Sequence, residues 1–142
     1  MHKNSGYTLV EVLTVIAIIA IVAGIVLPNV VAWLPKYRLS SGAEEIQSTL
    51  QLARLGAIKE NTSATVTFNT VNHSFSALVD DRMIKSGKMP AGIVIDSVTT
   101  PASEVEFNSR GLVTNGGDIL VKNNQGATKT IRVNIVGNAS IQ

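Results

Sequence analysis

The chain has 142 residues, and once its strongly apolar beginning is set aside, about a hundred remain, enough for one small globular unit. Twelve Lys and Arg against ten Asp and Glu give a net charge of +2, a near balance that makes no case for a nucleic-acid protein by composition. Cysteine is absent, which excludes disulfides, thiolate metal sites and cysteine nucleophiles.

Residues 1–6, Met-His-Lys-Asn-Ser-Gly, are polar and too short to be a structural unit, so they read as a processing signal. From Tyr7 to Leu34 the only charge is Glu11, and Val12 to Leu27 is apolar apart from Thr14 and Gly24. About 20 apolar residues span a hydrocarbon core of roughly 30 Å, so the pattern predicts a transmembrane helix over 7–35. An ordinary secretory signal is cut after its apolar run at small residues. Here Pro28-Asn29-Val30-Val31-Ala32-Trp33-Leu34-Pro35 follows instead, so the helix is expected to stay in the mature protein. Lys3 then lies on the cytoplasmic side and the body of the chain is exported. Pro28 has no N–H to bond back to Gly24, which predicts a bend or local melting there. Trp33 and Tyr37, flanking Pro35 and Lys36, suit a membrane boundary.

The head, 36–142, opens with a stripe of Leu39, Ala43, Ile46, Leu50, Ala53 and Ala57 at steps of three and four, with charged and polar residues between them. This predicts an amphipathic helix over 38–60, stopped by Asn61 and Thr62. The period then changes to two. Ala64, Val66 and Phe68, then Phe75, Ala77 and Val79, mark two strands around a turn at 71–74. Further strands are expected at Ile93 to Val98, Glu104 to Phe107, Asp118 to Lys122 and Ile131 to Val136, separated by Pro90-Ala91-Gly92, Asn115-Gly116-Gly117 and Asn123-Asn124-Gln125-Gly126. The fold class is α+β, a long N-terminal helix packed on an antiparallel, β-rich region over 63–142, in two small sheets or in one sheet with an added hairpin.

No catalytic centre or metal site is legible, and no cofactor is expected. His2 falls in the leader and His73 in a turn, where it is expected to be solvated. Asp80-Asp81 lacks the alternating spacing and bidentate Glu of a calcium loop, and no serine stands in a nucleophile elbow. Arg82, Lys85 and Lys88 form a short basic cluster that offers a candidate DNA-binding face. Asp80, Asp81, Asp96, Glu104, Glu106 and Asp118 are interspersed with the cations, so the default reading is mixed solvated charge.

Gly6-Tyr7-Thr8-Leu9-Val10-Glu11 resembles the type IV prepilin cleavage motif, a Gly before an aromatic or apolar first mature residue with Glu at the fifth position. Tyr7 stands where Phe is more frequent. The resemblance implies that a prepilin peptidase cuts between Gly6 and Tyr7 and that Tyr7 is N-methylated; it also matches Pro28 to the position where many pilins kink. A carboxylate in a membrane helix costs several kcal/mol unless compensated, and cleavage creates a nearby cation, since an α-amino group titrates near about 8. In the pilin resemblance, Glu11 of an incoming subunit meets its neighbour's terminal amine and sets axial register.

The head is similar to the minor pseudopilin family that includes the H-type subunit of type II secretion and the FimT-like minor pilins. The similarity rests on Leu50-Gln51-Leu52-Ala53-Arg54-Leu55-Gly56-Ala57-Ile58, on Phe107-Asn108-Ser109-Arg110-Gly111, and on Ile131-Arg132-Val133 followed by Gly137. It implies a non-catalytic subunit of a type II secretion pseudopilus or a type IV pilus. The implied partners are other pilin subunits, the prepilin peptidase and N-methyltransferase, the inner-membrane assembly platform and lipid. The implied location is single-pass in the inner membrane with a periplasmic head, or within an extracytoplasmic filament. The alternatives are a major pilin and a DNA-binding uptake pilin.

Overall fold

The computed structural model describes residues 7–142, with side chains for 7–25 and 33–142. One helix, α1, runs Leu9–Glu60. Eight strands follow: β1 (Ala64–Asn69), β2 (Ser74–Val79), β3 (Arg82–Lys88), β4 (Ile93–Val98), β5 (Glu104–Phe107), β6 (Gly117–Asn123), β7 (Thr128–Val133) and β8 (Ala139–Ile141). Two compact units are delimited between Leu34 and Pro35.

The helix assignment passes through Pro28 and Pro35 without interruption, so the two helical segments read separately in the sequence are one element. Gly6 and the side chain of Pro28 lie outside the described residues. Among the described residues, no helix is long and apolar enough to cross a membrane. The span expected over 7–35 includes 26–32, whose side chains also lie outside them.

In the head unit the strands form two four-stranded antiparallel sheets, ordered β3-β2-β1-β5 and β4-β6-β7-β8. The helix stripe is buried as its period requires: Leu39, Ala43, Ile46, Leu50, Ala53 and Ala57 join one core. The first sheet contributes Val66, Phe68, Phe75, Val79, Val105 and Phe107 to that core, and the second Ile93, Ile95, Ile119, Val121, Ile131 and Val133. Small residues set how closely the helix lies on the sheet. A Cβ added at Gly56 would come within 2.7 Å of Val79 Cγ2. The helix ends where Asn61 takes a left-handed φ of 52°, with Asn61 N–H donating to Ile58 O at 3.3 Å and Thr62 N–H to Ala57 O at 3.0 Å. These are the two bonds of a Schellman stop.

Three differences from the sequence reading have physical causes. The basic segment Arg82–Lys88 is a strand, β3, at the edge of its sheet and half or fully exposed along its length, so no alternation of apolar residues marks it. The strand expected at Ile131 to Val136 is Thr128–Val133, because Asn134 to Gly137 turns the chain into β8, a three-residue strand too short to show a period. His73 is half-buried at φ 51°, and its Nδ1 is buried without a partner, so it is not a solvated turn histidine.

Candidate functional site

The first candidate is the helix start. Tyr7 and Thr8 precede α1, and the Thr8 hydroxyl accepts a hydrogen bond from the Glu11 N–H at 3.2 Å. Thr8 is thus the N-cap and Glu11 the third helical residue, the Thr-x-x-Glu spacing of a capping box. The Glu11 carboxylate stands in the first turn, where the helix dipole favours negative charge. It shares a shallow, apolar groove with Tyr7, Val12, Val15 and Ile16. Around it, Leu9, Val10, Leu13, Ile18, Ile19 and Ile21 are all more than half exposed. The Thr14 hydroxyl donates to Val10 O at 2.8 Å, which spares the segment a free polar group. Sequence reasoning singled out Tyr7 and Glu11 but missed Thr8, although the Thr-x-x-Glu signature was readable.

A second candidate lies in the head, where the three head segments noted in the sequence come together. Arg54 donates from Nε to Gly111 O at 3.0 Å and from a terminal guanidinium nitrogen to Val136 O at 3.1 Å. Gly111 and Gly137 have φ of 73° and 80°. A Cβ on Gly111 would meet Ile58 Cδ1 at 2.6 Å, and one on Gly137 would collide with the Gly111 carbonyl oxygen. One arginine therefore ties two glycine turns, far apart in sequence, to the helix. Each turn is headed by an asparagine. Asn108 Oδ1 accepts from Leu112 N–H at 3.1 Å and Asn134 Oδ1 from Asn138 N–H at 2.9 Å, while the Gly111 and Gly137 N–H groups donate to the backbone carbonyls of Asn108 and Asn134. Asn123 builds the same loop with Gly126 and Ala127, away from Arg54.

The basic cluster does not form one free cationic face. Arg82 pairs with Glu60 at 2.6 Å and Lys85 Nζ donates to Ser48 Oγ at 3.4 Å, so both reach to residues of α1, with Arg82 and Lys88 exposed and Lys85 half-buried. Among the described residues no three metal-ligating acidic or histidine side chains come together. On the second sheet Arg132 and Asp118 form a two-bond pair at 2.9 and 3.0 Å, and the guanidinium holds the Asp118 carboxyl below the usual carboxylate range.

Comparison with known proteins agrees with this layout. The family described as type II transport protein GspH matches residues 42–137, and the prokaryotic N-terminal methylation motif matches residues 1–27. No curated protein matches by sequence. Among solved structures, the type IV minor pilin FimU of Pseudomonas aeruginosa is similar with a TM-score of 0.63 at 15% identity, over 75% of this chain and 90% of that one. The minor pseudopilin EpsH from the type 2 secretion system of Vibrio cholerae has a TM-score of 0.61 at 14% identity, over 74% of this chain and 96% of that one. At such identities the likeness concerns the fold.

Proposed function

The chain belongs to the GspH family of type II transport proteins, and we propose that it works as a minor pilin or pseudopilin, a low-copy structural subunit that enters a periplasmic filament through its N-terminal helix. The observation that carries this is the coincidence, at one helix start, of the methylation motif over residues 1–27 with an apolar surface exposed on all sides and interrupted by the single carboxylate of Glu11. An apolar helix surface that stays exposed over the described residues 9–22 needs lipid or other subunits to cover it.

In this reading a prepilin peptidase cuts between Gly6 and Tyr7 and the new amine of Tyr7 is methylated. The subunit waits in the inner membrane, single-pass, with its head in the periplasm, and the assembly platform moves it into the filament. Helices from 7–35 then pack together, with Pro28 as the bending point. The Glu11 carboxylate meets the terminal cation of a neighbouring subunit, and register follows because an ion pair in a low-dielectric bundle tolerates little axial slip. Thr8 supports this by fixing the helix start beyond the cut, so Glu11 is presented from a formed first turn.

Intact-mass and N-terminal analysis of the chain from membranes with and without prepilin peptidase tests the proposal. A chain that starts at N-methylated Tyr7 only when the peptidase is present is the expected result, and retention of Met1 to Gly6 in both hosts would end it. Glu11→Ala should be cut and inserted normally yet reach sheared filaments at a tenth of the normal level or less; normal incorporation refutes the register pair. The abundance of the chain relative to other subunits in those filaments separates a minor from a major pilin.

A further inference from the structure

Three loops of the head meet at one end. Met89 N–H donates to His73 O at 2.8 Å, Asn124 N–H to Gly92 O at 3.1 Å, and an Arg38 guanidinium nitrogen to Ala91 O at 3.3 Å. A Cβ on Gly42 would touch Met89 Sδ and Pro90 Cδ at 3.4 Å, so the loops and the first head residues of α1 form one rim. Neither residues 35–43 nor the loops 70–73, 89–92 and 123–127 contain an Asp or Glu. Lys36, Lys88 and Lys122 stand exposed on this rim or at the strand ends that feed it, and Arg38 is half-buried. None of the four enters an ion pair among the described residues. The carboxylates of Glu60 and Asp80 lie at the other end of the head, around the C-terminus of α1. Between Lys36 and Arg38, Tyr37 is 54% exposed, and Val71, at a loop tip, is 83% exposed. We infer that this rim is a lipid-contact surface, which seats the head on anionic phospholipid headgroups of the membrane that holds the chain.

The proposal rests on the membrane-anchored reading above. The chain enters the head at Pro35, directly before Lys36 and Arg38, so the covalent tether itself keeps these cations within reach of the bilayer. A carboxylate-free set of cations is attracted to an anionic lipid surface, each charge adding to the binding. An exposed aromatic ring between two cations and an exposed aliphatic tip suit a boundary that is anionic at its surface and apolar below. A nucleic-acid backbone would use the cations but gain nothing from Val71. The tip is also built to leave water. Asn69 Oδ1 accepts from the Val71 and Asn72 N–H groups at 2.9 and 2.8 Å, and Asn123 Oδ1 accepts from Gln125 and Ala127 N–H in the adjoining loop at 3.0 and 2.8 Å. Backbone donors that are already paired cost less to desolvate than free ones.

The chain has no cysteine, which makes single-cysteine variants clean probes. Val71→Cys on the rim and Ser63→Cys at the other end of the head would each be made in the full chain and labelled with an environment-sensitive dye. The labelled chains would be placed in nanodiscs of phosphatidylcholine with or without phosphatidylglycerol, both carrying a lipid-borne quencher. The expected result is quenching at position 71 at least threefold stronger than at 63 in the anionic discs, with the excess lost in neutral discs and at high salt. Equal quenching at the two positions, or a signal at 71 that ignores lipid charge, overturns the proposal. Lys36→Glu combined with Lys88→Glu should reduce quenching at 71 to its neutral-disc level while Lys59→Glu leaves it unchanged, with the head's protease resistance intact; unchanged quenching in the double variant equally overturns it. Release of the probe at 71 from anionic discs by a short DNA duplex at physiological salt would assign the rim to nucleic acid instead. Leu13→Cys, labelled in the same way, reports on the reading beneath. Quenching at 13 without quenching at 71 defeats only the lipid-contact rim, whereas no quenching at 13 in either lipid defeats the membrane anchor.

Discussion

The two ends of α1 share a secondary structure and differ in how their apolar residues are arranged and covered. From Leu39 to Ala57 a single stripe is buried to 3% exposure or less, and the other faces are polar or only locally apolar. From Leu9 to Ile25 no residue is buried. The first half obeys the amphipathic rule because a sheet lies on one side of it. The second is apolar all round, a pattern that in a single chain has no folding purpose. One half is thus selected by the protein's own core and the other by an environment the chain does not supply, which is why the stability of the head and assembly of the filament should respond to different substitutions.

Truncating a stripe residue and a segment residue should separate these roles by the widest margin. Leu50→Ala removes a fully buried side chain and should cost the head about 2–5 kcal/mol in urea unfolding. Leu13→Ala, on the exposed segment, should leave that transition in place while reducing incorporation into filaments. Equal effects on head stability would dissolve the distinction between the halves.

Next in size is the glycine pair at the Arg54 junction. Gly137→Ala forces a left-handed φ on alanine and drives its methyl into the Gly111 carbonyl, so about 2–4 kcal/mol should be lost. Gly126 occupies the same kind of turn at φ 86° with open space around it, and Gly126→Ala should cost only the backbone term, about 1–2 kcal/mol. Arg54→Met should fall between, at about 1–3 kcal/mol, because the part-buried Gly111 carbonyl and the exposed Val136 carbonyl both lose a charged donor. Thermal or urea melts of the three variants give the ranking, and a Gly126→Ala variant as damaged as Gly137→Ala would mean that the junction has no special status.

Much of this was legible. The stripe residues are all buried, and the alternation at Ala64, Val66 and Phe68 and at Phe75, Ala77 and Val79 is the observed pleat, because both patterns arise from one-sided burial. Glu11 and Tyr7 stood out because a lone carboxylate in an apolar run is costly. Missed features had weak one-dimensional signals. Edge strand β3 has only Ile84 packed partly against the core; Thr8, by contrast, carried a readable Thr-x-x-Glu spacing to Glu11, which its hydroxyl on the Glu11 N–H bears out. The repeated Asn-x-x-Gly at 108–111, 123–126 and 134–137 was present in the sequence and would have given the three turns. That two of them meet at Arg54 is a matter of tertiary placement, which no local period encodes.

The smallest effect belongs to a partly exposed ion pair on the second sheet. Asp118 and Arg132 sit opposite each other on β6 and β7, and the guanidinium lowers the carboxyl's pKa. A carboxyl with a folded pKa below its unfolded value adds stability only when ionised, so its contribution is complete above the ordinary aspartate value of about 3.9 and vanishes as pH falls through the lower folded value. Because both side chains are substantially exposed, water and salt screen the pair and the contribution should be near the limit of detection. The melting temperature of the parent chain minus that of Asp118→Asn should therefore be small, positive and flat above about pH 5, shrink toward zero in stronger acid, and shrink again at high salt. A difference that grew on acidification, or that rivalled the loss from Leu50→Ala, would show that the outer sheet face is covered by something in solution and would move it into the same class as the buried stripe.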